Sequence, residues 1–136
     1  MNLYFRTIEQ GEFSGHAGAA TLLIADAQEW HRLWRLHTSI LANPPAAPDV
    51  DFDREMILAY FMDDQPSGGF RVTTESVDLV NPRLPAPTLK LSVRIRGPVD
   101  EPAADVVSNP YDIVCLPRME VGGVIVEVLS PRFGDG

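Results

Sequence analysis

A single cysteine, Cys115, stands among the 136 residues, so an internal disulfide framework is excluded. Long apolar runs are missing too. No stretch approaches the roughly eighteen consecutive apolar residues of a membrane-spanning helix. Positive charge is scarce: 11 basic residues face 19 acidic ones, a net charge of −8 that repels phosphate backbones and anionic lipid surfaces. Nucleic acid is therefore not an expected partner. The N-terminal Met1-Asn2-Leu3-Tyr4-Phe5-Arg6 has no basic leader, extended apolar centre or small-residue cleavage site. Read as written, the chain is expected in the cytoplasm, and outside it if this is a piece of an exported protein.

The familiar metal and nucleophile signatures are equally absent. There is no HExxH, CxxC or His-x-His, and His31 and His37 are six apart on a helix pattern, which sets them on different faces. His16 lies in a Gly/Ala-rich loop. Asp49, Asp51 and Asp53 have the spacing that opens a calcium loop, but the required glycine and closing glutamate do not follow. They are expected to be a solvated lead-in to a strand, anchored by Phe52. Cys115 lies in the apolar run Ile113-Val114-Cys115-Leu116, the setting of an inert structural thiol. No metal, cofactor or catalytic residue is expected.

Proline and glycine are abundant: 12 and 10 residues. They gather at 43–48, 65–69, 81–87 and 97–102, marking connections between strands because proline lacks the amide donor a ladder needs. Between these breaks, Leu3–Ile8, Thr21–Ile24, Met56–Met62, Phe70–Val80, Leu89–Arg96, Ile113–Leu116 and Val124–Leu129 read as about seven strands. Met56–Met62 is apolar on both faces, the mark of a central strand covered on both sides. Leu89, Leu91, Val93 and Ile95 alternate with polar residues, giving one wet face. The alternation in Phe70–Val80 shifts phase near Ser76, which predicts a bulge. The Gly122-Gly123 pair suits a tight turn between the last two strands.

One helix is predicted, Ala27–Thr38, opened by Asp26 with Glu29 in capping-box position. Ala27, Trp30, Leu33, Trp34 and His37 recur at three- and four-residue steps, so both indoles share a face. Burying two aromatics of about 150–250 Å² each is worth several kcal/mol at ~25 cal/mol/Å². The helix is thus expected to close a core, with His37 packed or locally hydrogen-bonded and His31 solvated. The whole chain, residues 1–136, reads as one α+β domain: a mostly antiparallel sheet, sandwich- or barrel-like, with one amphipathic helix packed on it.

Five segments occur in an order that carries a resemblance: Ser14-Gly15, Ala27–Trp34, Val50–Asp53 leading into Met56–Phe61, Pro66-Ser67-Gly68-Gly69-Phe70, and Asn109–Val114. Together they resemble the C-terminal domain family of the protease complex subunit PrcB, across about residues 11–128. The resemblance implies a non-catalytic accessory module that associates with and stabilises a protease complex. The partner is then another protein, a protease for instance. No family catalytic residue exists to carry over. The matching positions Pro66, Ser67, Gly68, Gly69, Phe70, Pro110 and Tyr111 become a candidate partner-binding rim, with the Ser67-Gly68-Gly69 turn as its sharpest feature. Two other functions suit the same residues: a protease inhibitor acting through a Pro/Gly-rich loop, and a small-molecule binder or enzyme using a cleft beside Trp30 and Trp34. Oligomeric state is not legible in the chain.

Overall fold

A computed structural model describes residues 1–98 and 105–129. Of the Gly97–Pro102 cluster, only Gly97 and Pro98 fall within these; the rest lies outside the described residues. The elements are β1 (Asn2–Leu3), β2 (Arg6–Gly11), β3 (Ala20–Ile24), α1 (Ala27–His37), β4 (Glu55–Phe61), β5 (Arg71–Val80), β6 (Thr88–Arg96), β7 (Tyr111–Pro117) and β8 (Gly123–Leu129). A 3₁₀ turn, Thr38–Ile40, extends the helix.

The strands form two four-stranded sheets, ordered β1-β5-β6-β8 and β2-β7-β4-β3. They face each other as a sandwich and do not close into a barrel. Helix α1 covers the outer face of the second sheet, so the layers run sheet, sheet, helix, and there are two apolar cores. Between the sheets lie Met56, Leu58, Val72, Val77, Leu89, Leu91, Val93, Val114 and Leu116. Under the helix lie Trp30, Leu33 and Trp34 against Ile57, Ala59, Phe61, Ile113 and Cys115. Successive side chains of a strand point to opposite faces, and here each face of β4 and β7 has its own core. This is why Met56–Met62 is apolar throughout, as its sequence predicted.

Three local expectations hold in detail. Asp26 Oδ1 accepts from the Glu29 amide at 2.8 Å, which fixes the helix start. The β5–β6 register shifts between Thr74 and Ser76, the bulge that the broken alternation indicated. Trp30 and Trp34 are buried, and their indole N–H groups donate to the Pro48 and Pro45 carbonyls at 3.0 and 2.9 Å. The Pro-rich segment 43–48 thus supplies the acceptors that buried indoles need.

Others are corrected. Leu3–Ile8, read as one strand, divides at Tyr4-Phe5 into β1 and β2, one in each sheet, so that the described residues hold eight strands. Gly122-Gly123 is not a hairpin turn. β7 and β8 belong to different sheets, and β8 lies parallel to β6, with Leu89 opposite Val124 and Val93 opposite Val128. Glycine dipeptides suit any sharp change of direction, so the pair cannot distinguish a hairpin from a crossing between layers. Helix α1 ends one residue early, at His37, and Ala27 is exposed rather than part of the buried stripe.

Candidate functional site

The predicted rim gathers at one end of the sandwich. Gln65 and Ser108 form an isolated antiparallel bridge, and Ser108 Oγ donates to the Ser67 carbonyl at 2.7 Å. This brings the 65–70 turn beside Pro110 and Tyr111. Gly69 takes φ +89°, a backbone region that favours glycine, and its amide donates to Glu12 Oε1. Within the rim, Pro66 and Gly69 are exposed and Ser67 and Phe70 half-buried, while Gly68, Pro110 and Tyr111 are buried. The seven positions therefore divide into an outer turn that solvent reaches and an inner support that it does not.

Beside Gly69 opens a cleft of about 330 Å³, lined by Gln10, Gly11, Glu12, Gly69 and Arg71. It lies where the end of β2 meets the start of β5, between the two sheets. A side chain at Gly11 would collide with the Tyr111 hydroxyl.

Behind this end sits a polar cluster that sequence spacing did not reveal. Glu9 Oε1 accepts from the Tyr111 hydroxyl and from His37 Nε2, both at 2.6 Å. The other ring nitrogen, Nδ1, shares a hydrogen bond with Ser14 Oγ, also at 2.6 Å. Ser14 Oγ in turn accepts from the His16 amide at 3.0 Å. Burial, and then the Glu9 hydrogen bond, push the Tyr111 phenol well above its ordinary range. Four separated segments contribute: β2, the loop 12–19, the C-terminus of α1 and β7. A serine, histidine and carboxylate in this order invite comparison with an acyl-transfer triad. Here Ser14 is buried and its hydroxyl is engaged by both the His37 ring and the His16 amide. The cluster fastens the helix to the sheet.

His31 is exposed and His16 stacks on Phe61 at 4.3 Å between ring centroids. Asp49, Asp51 and Asp53 are exposed, and Asp51 organises the turn into β4 by accepting from the Arg54 and Glu55 amides through its carbonyl. Among the described residues no group of three or more His, Cys, Asp or Glu could hold a metal ion, and no helix is long and apolar enough to cross a membrane.

The four sheet edges differ in how their backbone groups are used. β1 spans only two residues and covers β5 at Val77 and Asp78. The rest of that edge is taken by other groups: Gln10 Nε2 donates to the Val72 carbonyl at 2.6 Å and the Thr74 amide donates to Asp112 Oδ2 at 2.7 Å. Met1 exchanges bonds with both backbone groups of Leu79. β2 is interrupted by a bulge between Thr7 and Glu9. β3 runs straight into α1. Among the described residues β8 has none of these devices. It is seven residues long, ends its sheet, and exposes Ile125, Val126 and Val128 by 51%, 37% and 52%. Its register places Val124, Val126 and Val128 on the same side as Leu89, Leu91 and Val93, the core side, yet only Val124 packs against the core.

Compared with known proteins, the chain matches no family model, no curated protein and no solved structure.

Proposed function

We propose that this chain is a non-catalytic protein-binding module, an accessory subunit of the kind that the PrcB resemblance implies, and that it binds by adding a strand to β8. The observation that carries this is the β8 edge, unprotected among the described residues, at the opposite side of a sheet whose β5 edge has backbone groups already occupied. A long, flat, apolar edge invites pairing with another chain, and proteins blunt those that are not used. Strand addition supplies affinity through main-chain hydrogen bonds and specificity through alternate side chains.

The occupant is an extended segment of another polypeptide, apolar at alternate positions and neutral or basic. Glu127 is the one ionisable residue of β8, and Lys90 neutralises it at 2.6 Å. The edge itself is therefore nearly uncharged, while the chain as a whole carries −8. That field attracts a basic segment and opposes a second copy. The Ser67-Gly69 turn lies at the opposite side of the first sheet's strand order, at the start of β5, so it serves as a separate rim.

Selection of displayed random octapeptides against the purified protein tests the reading. Selected peptides should share alternating apolar positions, protect β8 amides from hydrogen exchange, and bind about tenfold or more weakly to Val128→Lys, the cost of an unpaired charge facing the apolar side. Protection elsewhere, or binding indifferent to V128K, would overturn it. So would a concentration-dependent dimer that V128K abolishes, since the edge would then belong to a second copy.

A further inference from the structure

We propose that Arg71 and Arg96 form a binding site for a small dianion, a phosphate or a dicarboxylate, at the mouth of the cleft beside Gly69. The two arginines are directly opposite each other at the end of the β5–β6 ladder, and both are exposed. Like charges placed opposite on one sheet face repel. The next pair along that face shows the usual remedy: Arg94, opposite Thr73, bonds to Glu75 at 2.8 Å. Among the described residues neither guanidinium of the terminal pair has an ion pair, although the charge of Arg71 does act on the buried Asp112 carboxyl of β7. Arg71 turns Nε and Nη2 to Gln10 Oε1, a neutral amide oxygen, at 3.2 and 2.6 Å. The side chain of Arg96 makes no hydrogen bond or ion pair among the described residues. The carboxylate nearest the cleft, Glu12, is engaged by the Gly69 amide. In a chain with 19 acidic residues for 11 basic ones, two adjacent guanidinium groups with no ion pair among the described residues are not a product of composition.

The surroundings fit a ligand as well as a charge. Gln10 is itself fixed, donating through Nε2 to the Val72 carbonyl and to Thr73 Oγ1. Arg71 is thereby held in place before any anion arrives, which lowers the ordering cost of binding. Planar guanidinium groups match the oxygen spacing of phosphate and carboxylate, and two of them balance a double negative charge. At about 330 Å³ the cleft is at the small end of the range for ligand sites. Two of its walls, Gly11 and Gly69, carry no side chain, and a Cβ at Gly69 would press on Pro98 at 3.0 Å. Glu12, which also lines the cleft, repels an anion and so favours the arginine end.

Two-dimensional NMR with inorganic phosphate, and separately with succinate, tests this against sodium chloride of equal ionic strength. Saturable shifts are expected at the Arg71 and Arg96 Nε–H signals and the Gly69 amide. Arg96→Gln and Arg71→Gln should each weaken binding about tenfold or more. Saturation by phosphate alone, or by succinate alone, assigns the oxyanion class. R96Q without ligand should unfold at the same or a higher temperature, because a repulsion has been removed. Shifts that follow ionic strength alone would overturn the site, and so would saturation unchanged in R96Q. A lowered melting temperature in R96Q would also overturn it, by revealing an existing partner for Arg96. The Val128→Lys variant should retain the shifts, which separates this site from the β8 edge.

Discussion

Asp112 Oδ2 of β7 accepts from the Thr74 amide of β5 at 2.7 Å, a hydrogen bond across the two sheets made by a residue that is only 2% exposed. Thr74 sits at the bulge, where the ladder with β6 shifts register. Gln10, the ladder partner of Asp112, caps the Val72 carbonyl two residues away. Two neighbouring side chains of one sheet thus stand in for a missing strand on the edge of the other.

Asp112→Ala should cost about 1–3 kcal/mol, because it strands a buried amide without an acceptor. Asp112→Asn keeps an acceptor oxygen and should cost less. Urea midpoints of the two variants at pH 7 measure the order, and an equal loss would mean that the bond to Thr74 contributes nothing.

The same residue sets a pH dependence. Burial raises the Asp112 pKa above its ordinary value, outweighing the hydrogen bonds from Thr74. A raised pKa in the folded state means stability that is complete below the unfolded value of about 3.9 and lost as pH rises through the folded one. Glu55 works in the opposite sense: its pKa is lowered, first by the Cys115 thiol, so its contribution fades as pH falls through the folded value. Subtracting D112N from wild type isolates the Asp112 slope. The difference should show wild type gaining stability, relative to D112N, as the solution is acidified from neutral toward pH ~4. A flat difference would remove Asp112 as its source.

Ser14→Ala and His37→Ala should each destabilise by about 1–3 kcal/mol, since each leaves buried polar atoms unpaired. Their effects should not add: S14A/H37A is expected to cost less than the sum, because the residues share one bond. Trp34, whose ring centroid is 5.3 Å from that of His37, supplies the fluorescence signal for the unfolding curves. Additive costs would mean that the two side chains act independently.

Three glycine substitutions should separate by mechanism. A Cβ at Gly15 would overlap the Leu36 carbonyl oxygen and Ser39 Oγ, and the Gly15 amide is bonded to the His37 carbonyl at 2.9 Å. Gly15→Ala should cost the most, of order 2 kcal/mol or more. Gly18 has open space but φ +84°, so Gly18→Ala should cost about 1 kcal/mol from backbone strain. Gly123 has neither restriction, and Gly123→Ala should be within ~0.5 kcal/mol of wild type. Thermal melts of the three variants provide the ranking.

Cys115 should resist alkylation in the native protein. Burial, then the hydrogen bond to Glu55 Oε2 at 3.1 Å, pushes its thiol up to about 11. Reaction with a disulfide reagent at pH 8 should be slow until urea unfolds the chain, and rapid native labelling would contradict the burial.

What the sequence made legible was everything that depends on periodicity and local chemistry. Met56–Met62 is apolar at every position because both its faces are covered, Leu89–Ile95 alternates because one face is wet, and Asp26 caps the helix through a bond three residues long. Even the bulge near Ser76 left its trace as a change of phase. These features come from residues within a few positions of one another.

Tertiary structure decided what joins distant positions. The parallel placement of β8, and so its bare edge, follows from β7 and β8 lying in different sheets, which a Gly-Gly pair cannot encode. The Glu9–His37–Ser14 cluster spans 28 residues in the chain and has no spacing that marks it. Arg71 and Arg96 become neighbours through strand register alone. Periodicity fixes which face of an element is buried. Which element it meets is set by packing between layers, and both proposed sites lie where that packing leaves an edge or a charge uncovered.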